Sequence, residues 1–149
     1  MNIRHRATAI IMKDGKVLLF HRIKPGHDYF VFPGGGIESG ESAEEAMKRE
    51  IKEELDLEVR VSRPLFMIEN IDVPDWATIH PDQKQTHHYF LVENYSGVPK
   101  LSGPEKERAN EQNEYHIVWM DQRELENTEN IFPREGVMKL LAAKVVMYQ

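Results

Sequence analysis

Residues 35–57 combine a glycine-rich segment with an acidic helical pattern, and this combination limits the possible folds of the chain more than any other stretch. Glu50, Glu53 and Glu54 are spaced three and four residues apart, so a helix would project their carboxylates from neighbouring positions. Like charges at this spacing destabilise an exposed helix by roughly 0.2–0.5 kcal/mol per pair. A divalent cation between the carboxylates would reverse the sign of that interaction.

A helical wheel places one of these glutamates on the side of the helix that should face the core. At about 100° per residue, Glu54 falls inside an apolar stripe. A carboxylate on the buried edge of an amphipathic helix needs a cationic partner, because an isolated buried charge is very costly. That partner is either a basic side chain or a metal ion. The apolar stripe consists of Ala43, Met47, Ile51 and Leu55.

The same glutamates also fit a charged surface helix that binds no ligand. Arg49 can offset Glu45 and Glu53 at i,i+4, and Glu44 can pair with Lys48. Helical spacing alone therefore leaves a solvated face and a metal site as open alternatives.

The segment in front of the helix favours the metal site. Residues 33–36 read Pro-Gly-Gly-Gly and Gly40 follows, and glycines leave backbone carbonyls and amides open to close approach. Ser42 and Glu45 form an S-x-x-E capping box, which predicts that the helix begins at Ser42.

This stretch resembles the signature of the Nudix hydrolases, G-x5-E-x7-R-E-U-x-E-E-x-G-U, in which U is an aliphatic residue. Asp56 stands where the signature has its second glycine. Aspartate adopts the left-handed conformation of a helix C-cap less readily than glycine. This departure from the signature therefore affects where the helix ends, and it leaves the metal ligands unchanged. The matching positions are Gly35, Glu41, Arg49, Glu50, Ile51, Glu53, Glu54 and Leu57.

The resemblance implies a fold, a reaction and a metal. The fold would be α/β, a Nudix-like α/β/α sandwich with a mixed β-sheet and flanking helices. The reaction would be hydrolysis of the pyrophosphate linkage in a nucleoside diphosphate derivative, such as a nucleoside triphosphate or an ADP-sugar. Mg²⁺ would be the cofactor, with Mn²⁺ as an alternative. Glu50, Glu53 and Glu54 would bind the metal, and the Gly35 carbonyl would complete its ligands.

The resemblance also implies catalytic roles. Glu53 or a glutamate late in the chain would accept the proton of the attacking water, and Glu41 would bond Arg49 to brace the helix against the glycine segment. Among the late glutamates we select Glu111, although the sequence does not discriminate between them. The candidates, all within the charged segment 102–114, are Glu105, Glu107, Glu111 and Glu114.

Most of the remaining chain has strand patterns. Asp14-Gly15 between the apolar runs 6–12 and 17–22 predicts a β-hairpin. Pro133 suits the first turn of a C-terminal helix that is predicted to run to Tyr148. Further strands are predicted at 29–32, 57–67, 87–93 and 115–120. The pattern of 57–67 is interrupted at Pro64, which predicts one strand that bends there into an edge of the sheet.

Two residues outside the signature are candidates for binding substrate. Arg22, at the end of the second predicted strand, could reach a phosphate, although such a residue is more often a surface charge. Trp76 lies in the long polar segment 69–86, and loops of this length are often functional. Its ring could stack on a base or sugar, or it could pack the segment onto the core.

His87 and His88 fall on adjacent positions of a predicted strand. Their side chains must point to opposite faces, so one regular strand cannot offer both to one metal ion. We expect one of the two to face solvent and the other to be hydrogen-bonded near the site.

Length and composition bound the remaining possibilities. The 149 residues fit a single domain over 1–149. The net charge of −6 argues against a nucleic-acid polymer as ligand but not against a single nucleotide with its magnesium. The chain has no cysteine, which excludes disulfides and thiolate chemistry. We expect no membrane association and a cytoplasmic location, because no long apolar run or signal peptide is present. A homodimer is compatible with the sequence.

Two other classes of protein remain open. One is a non-catalytic nucleotide-binding sensor with the same fold, although loss of the signature glutamates usually accompanies that role and all of them are present here. The other is a structural acidic domain, for which the glycine run and the glutamate spacing would be coincidental.

Overall fold

The computed structural model describes residues 3–103, 106, 109–110 and 112–146. Strands dominate these parts, and three α-helices and one short 3-10 turn connect them. The elements are β1 (Ile3–Lys13), β2 (Lys16–Lys24), β3 (His27–Val31), β4 (Gly34–Gly36), α1 (Ala43–Leu55), β5 (Glu58–Ile71), the 3-10 turn (Asp75–Ala77), β6 (Lys84–Ser96), β7 (Glu114–Met120), α2 (Gln122–Asn127), β8 (Ile131–Phe132) and α3 (Arg134–Ala142).

The described strands form one mixed eight-stranded sheet in the order β5-β6-β1-β2-β3-β8, with β4 on β1 and β7 on β2. β1 runs parallel to β6 and antiparallel to β4. It contacts β2 only at their shared turn, so the strands diverge into the groups β4-β1-β6-β5 and β7-β2-β3-β8. A mixed sheet with flanking helices confirms the predicted α/β architecture.

The turn between β1 and β2 confirms the predicted hairpin. Asp14 and Gly15 have φ angles of 51° and 76°, and Lys13 pairs with Lys16 across the turn. Two consecutive residues at positive φ match the right-handed twist of the flanking strands, which is why Asp-Gly pairs favour this turn.

Alternation along β1 divides the core into two clusters. Ala7, Ala9 and Ile11 are fully buried with the apolar stripe of α1, whereas Ile10 belongs to the cluster that contains Val137 of α3. Because side chains of a strand alternate between its faces, β1 contributes to both clusters. Packing against β1 and β5 therefore sets the position of α1 and its glutamates.

The ends of α1 follow from local chemistry. The Ser42 hydroxyl accepts a hydrogen bond from the Glu45 N–H, and the Glu45 carboxylate accepts one from the Ser42 N–H, which confirms the capping box. Asp56 caps the C-terminus in the left-handed conformation, with φ 56° and ψ 40°. The Lys52 ammonium lies 2.9 Å from the Asp56 carboxylate and lowers its pKa. Asp56 thus takes the C-cap position that the signature gives to glycine.

One prediction about the middle of the chain is confirmed and another is wrong. β5 continues through Pro64 as a single strand at the edge of the sheet, with a register shift after this residue, and an edge strand tolerates the missing N–H. The long polar segment, in contrast, is shorter than predicted. β5 extends to Ile71 and β6 begins at Lys84, so only residues 72–83 connect the two strands.

The C-terminal helix is shorter than predicted, since α3 ends at Ala142 and Lys144 takes a φ of 57°. Tyr148 lies outside the described residues. Sequence patterns also missed β4, α2 and β8, because three glycines, six residues and two residues are too short to show a hydrophobic period.

Candidate metal and substrate site

The glycine strand β4 brings the backbone directly against the acidic edge of α1. Gly34, Gly35 and Gly36 pair with residues 6–8 of β1. A Cβ placed on Gly35 would lie 2.3 Å from Cδ of Glu50, and one on Gly34 would lie 2.1 Å from the Ala7 carbonyl oxygen. Only glycine therefore lets the sheet and the glutamates approach this closely.

The three signature glutamates have different environments. Glu54 is 5% exposed and accepts a hydrogen bond from the Gly34 N–H at 3.1 Å. Burial raises the pKa of the Glu50 carboxyl, and the charge of Glu53 acts in the same direction. The Glu53 side chain is 47% exposed. The cluster thus runs from a buried carboxylate to one that water reaches freely.

Arg49 links the helix to the glycine segment. Its Nε and Nη2 donate to the two carboxylate oxygens of Glu41 at 2.9 and 2.8 Å. Nη2 also donates to the Gly36 carbonyl at 3.0 Å, and Nη1 donates to Glu50 at 2.8 Å. The contact between Glu41 and Arg49 that the resemblance implied is therefore present, and Arg49 also holds Glu50 in place.

The hydrogen bonds from Arg49, together with one from the Glu38 N–H, lower the pKa of Glu41 to about 2. A carboxyl with a lowered folded-state pKa stabilises the protein above its ordinary pKa, and this contribution is lost as the pH falls. We expect the melting temperature of Glu41→Gln to lie below that of the wild type at pH 7 and the gap to close between about pH 5 and 2. Thermal melts of both proteins across this range measure the gap. A gap that stays constant down to pH 2 would contradict the prediction, since other carboxyls titrate equally in both proteins.

A cavity of about 830 Å³ opens beside the glutamates. Glu50, Glu53 and Glu54 line one end, with Arg4 and Arg6 of β1 beside them. Apolar and aromatic side chains of β3, β8 and the segment 72–83 line another part, and these include Tyr29, Val73, Pro74, Trp76 and Phe132. A ligand in this cavity meets both a charged end and an aromatic wall.

Buried polar side chains of β6 also line this cavity. His87 is 5% exposed, and burial lowers its pKa to about 3, so the ring is neutral at physiological pH. The Gln85 amide donates to Thr78, which leaves its carbonyl oxygen to accept from Nε2–H of His87 at 2.7 Å. His87 is thus the member of the histidine pair that is hydrogen-bonded beside this cavity. His88 faces the other side of the strand and is partly exposed, and its Nε2 lies 3.0 Å from Nδ1 of His5.

The donor atoms at the charged end suit a hard divalent cation. Among the described residues, no three histidine, aspartate or glutamate side chains are grouped closely enough to hold an ion by themselves. Magnesium, however, takes oxygen ligands and usually combines one or two carboxylates with waters and substrate phosphates. Burial of the Glu50 carboxyl raises its pKa and so disfavours its charged form, and a cation close to the carboxylate would favour that form. These residues therefore fit such an ion.

Arg22 lies on the cavity wall with its guanidinium already positioned. Its Cζ lies 3.8 Å from the centre of the Tyr115 ring, and Nη2 donates to the Asn113 side chain at 2.9 Å. Such stacking orients a guanidinium at little entropic cost, so Arg22 can receive an anion without reordering.

Trp76 lines the same cavity, but its ring is packed. It stacks on His27 at 4.0 Å and meets the ring of Tyr29 edge-on at 4.9 Å. Its carbonyl accepts a hydrogen bond from Lys24 at 2.6 Å. These contacts fix the segment 72–83 onto β2 and β3, which supports the packing interpretation of Trp76 and leaves base stacking as a hypothesis.

The late glutamates are only partly described. Glu111, the residue selected from the sequence, lies outside the described residues, and so do Glu105 and Glu107. Glu114 is half-exposed and lies 3.1 Å from Nε2 of His116. Sequence patterns missed Tyr29, Phe132 and Asn113 as cavity residues, and only the alternation of Tyr29 along its strand could have suggested one of them.

The described residues contain no helix with the length and hydrophobicity needed to cross a bilayer.

The NUDIX domain family matches residues 3–141, which is more than half of the chain. The chain therefore belongs to the NUDIX family, as its signature indicated, and the predicted Nudix fold is confirmed.

Two relatives whose names state an activity each match part of the chain. An ADP-ribose pyrophosphatase of Methanocaldococcus jannaschii is 45% identical over 64 residues, which cover 42% of this chain and 38% of that protein. A nucleoside triphosphatase NudI of Enterobacter sp. is 41% identical over 76 residues, which cover 46% of this chain and 52% of that protein. The matches thus span about half or less of these relatives. The solution structure of the E. coli ORF135 protein covers 97% of this chain and 93% of its own, with a TM-score of 0.72 and 22% identity, and shows the fold alone.

Proposed function

We propose that this protein is a magnesium-dependent pyrophosphohydrolase that cleaves the pyrophosphate linkage of a nucleoside diphosphate derivative. The observation that carries this proposal is the position of Glu50, Glu53 and Glu54 at one end of a cavity that also presents arginines and aromatic rings. The relatives named for ADP-ribose and for nucleoside triphosphates support the two substrate types that the signature implied.

Glu50, Glu53 and Glu54 would hold Mg²⁺, or Mn²⁺, together with the Gly35 carbonyl. When bound, such an ion supplies a Lewis acid that neutralises phosphate charge and lowers the pKa of a bound water. Magnesium sites of this kind leave positions for water and for substrate oxygens, so three carboxylates and one carbonyl are sufficient protein ligands.

The chain's own residues position the reactants. Arg4 and Arg6 lie beside the glutamates and would bind phosphate oxygens, and Arg22 would bind a more distant phosphate. Glu53 reaches solvent and would accept the proton of the attacking water, or Glu111 would do so from the later segment. Arg49 and Glu41 would orient Glu50, and Trp76 would keep the segment 72–83 over the aromatic wall. Positioning and charge stabilisation are most of what phosphoryl transfer requires.

A nucleotide panel tests this proposal. Purified protein is incubated with each common nucleoside triphosphate and with ADP-ribose, with Mg²⁺, with Mn²⁺ or with chelator, and the products are separated by anion-exchange chromatography. We expect a nucleoside monophosphate as product, formed only with metal. Saturable nucleotide binding without any turnover would refute the enzyme and favour the non-catalytic sensor.

Other properties follow the same proposal. We infer a single domain over residues 1–149 that acts in the cytoplasm on small nucleotides rather than on a nucleic-acid polymer or a membrane. Light scattering on the purified protein distinguishes a monomer from a homodimer.

A further inference from the structure

Four buried side-chain polar atoms have no hydrogen-bond partner among the described residues, and all four belong to residues that line the large cavity. Buried polar groups in folded proteins are nearly always paired, so unpaired groups that collect around one cavity indicate a ligand that pairs with them. The atoms are Oγ1 of Thr8, Nε of Arg22, Nδ1 of His87 and the hydroxyl oxygen of Tyr89.

Three of these residues share one face of the paired strands β1 and β6. His87 and Tyr89 are two residues apart on β6 and so point to the same side, with ring centres 6.3 Å apart. The parallel register sets Thr8 beside Tyr89 and Arg6 beside His87. Thr8, His87 and Tyr89 are 2%, 5% and 1% exposed, and we call these three residues the neutral floor of the cavity.

A chain of hydrogen bonds fixes which nitrogen of His87 carries the proton. The Thr78 hydroxyl oxygen accepts from the His80 N–H at 3.0 Å and from the Gln85 amide at 3.4 Å. The Gln85 carbonyl oxygen then accepts from Nε2–H of His87 at 2.7 Å. Burial lowers the pKa of His87 to about 3, so the ring is neutral at physiological pH and Nδ1 presents only a lone pair.

The lone pair of Nδ1 decides what kind of group can lie against it. Ionised phosphate oxygens are acceptors only, so they would face the lone pair without forming a hydrogen bond. A nucleobase or a ribose offers N–H or O–H donors, and its own acceptors can be met by the hydroxyls of Thr8 and Tyr89, which donate as well as accept. The neutral floor therefore fits the uncharged part of a nucleotide, although the cationic Arg6 lies beside it.

We propose that Nδ1 of His87 accepts a hydrogen bond from the uncharged part of the nucleotide, so that the neutral floor selects substrates that carry an N–H or O–H donor at this point. The inference rests on the nucleotide substrate of the proposed function, and it names the residues that select it. An analogue without the donor leaves the buried nitrogen unpaired, and sites built to hydrogen-bond a substrate discriminate strongly for this reason. The donor belongs to the nucleobase or to the ribose, two sources that the probes below distinguish.

Ring ¹⁵N spectra of the wild-type protein test the proposal at equilibrium. In the free protein, Nε2 of His87 should be protonated and Nδ1 unprotonated. AMP, GMP, CMP, UMP and ribose 5-phosphate are then titrated with saturating Mg²⁺, and none of these probes contains a pyrophosphate linkage that could be cleaved. At least one nucleotide should move the Nδ1 resonance, whereas inorganic diphosphate, which lacks such a donor, should not. A response to ribose 5-phosphate would identify the ribose as the source, and a response to nucleotides alone would identify the base.

Two substitutions of His87 separate the roles of its ring nitrogens. Counted in bonds from Cβ, the side-chain oxygen of asparagine corresponds to Nδ1, and the amide nitrogen of glutamine corresponds to Nε2. His87→Gln should therefore weaken the binding of the tightest nucleotide of the series by about tenfold, while the affinity for inorganic diphosphate stays unchanged. His87→Asn restores an acceptor and should regain most of the lost affinity. Isothermal titration measures both.

The matched control is His116→Gln, since His116 is an exposed histidine of β7 outside the lining of the large cavity. This variant should bind the same nucleotide as the wild type does.

A proton on Nδ1 of His87 in the free protein would overturn the proposal. So would an Nδ1 resonance that no nucleotide moves, or one that inorganic diphosphate moves equally, and so would equal nucleotide affinity in the wild type and His87→Gln. If a variant fails to fold, the wild-type spectra decide the matter. Nucleotide binding at His87 without hydrolysis would uphold this inference and refute the proposed enzyme, and hydrolysis with an unperturbed His87 would do the reverse.

Discussion

Glu54→Gln should lower metal-dependent pyrophosphate hydrolysis by about 10²–10³-fold while the protein remains folded. Glu54 lies on the buried edge of α1, 5% exposed, and accepts the Gly34 N–H. Glutamine retains the shape and an acceptor oxygen, so the contact with β4 can persist. It removes the negative charge that would bind the cation. Initial rates at saturating Mg²⁺ measure the effect, and circular dichroism melts report on the fold.

Glu44→Gln is the matched control, because Glu44 lies on the same helix but away from the cavity. Its carboxylate accepts a hydrogen bond from the Ser62 hydroxyl at 3.0 Å and lies 3.9 Å from Lys48. This variant removes the same charge from α1 and should retain wild-type turnover. Wild-type turnover in Glu54→Gln at saturating Mg²⁺ would refute the metal-ligand role of Glu54.

Arg49→Lys should lower kcat by about a hundredfold and also lower the melting temperature. The guanidinium of Arg49 donates at once to Glu41, to Glu50 and to the Gly36 carbonyl. Lysine keeps the charge but replaces the planar fork with one ammonium, which cannot reach all three acceptors. Glu50 would then lose its orientation beside Gly35. Steady-state kinetics at saturating metal separate kcat from KM, and thermal melts measure the loss of stability.

Arg60→Lys provides the comparison, since Arg60 is an exposed residue of β5 whose Nε donates to the Ser96 hydroxyl at 3.3 Å. The same substitution there should leave kcat and the melting temperature close to wild type. An unchanged kcat in Arg49→Lys would show that the link between α1 and the glycine strand does not position the reacting groups.

Prediction from sequence succeeded where structure depends on near neighbours. The capping box of Ser42 and Glu45 spans three residues, and the turn at Asp14-Gly15 spans four. In each case the stabilising contacts form within a few residues, so a pattern in the sequence already contains both partners.

Prediction failed where a segment depends on its neighbours in the sheet. The polar composition of 69–86 indicated one long loop, but pairing with β6 extends β5 to Ile71, and β6 begins at Lys84. β8 is a two-residue strand that exists because Ile131 and Phe132 pair with β3. Such short segments have little intrinsic preference for strand conformation, so packing against the rest of the chain determines whether they form strands.

Sequence alone was enough to predict α1, its N-cap at Ser42 and the spacing of Glu50, Glu53 and Glu54, because a helix forms from contacts three and four residues apart. Tertiary structure alone decided that Glu50 lies against the Gly35 backbone, that an aromatic wall completes the cavity, and that His5 meets His88. These contacts join residues far apart in the sequence, and they depend on how strands pair and how the core packs, which no local pattern encodes.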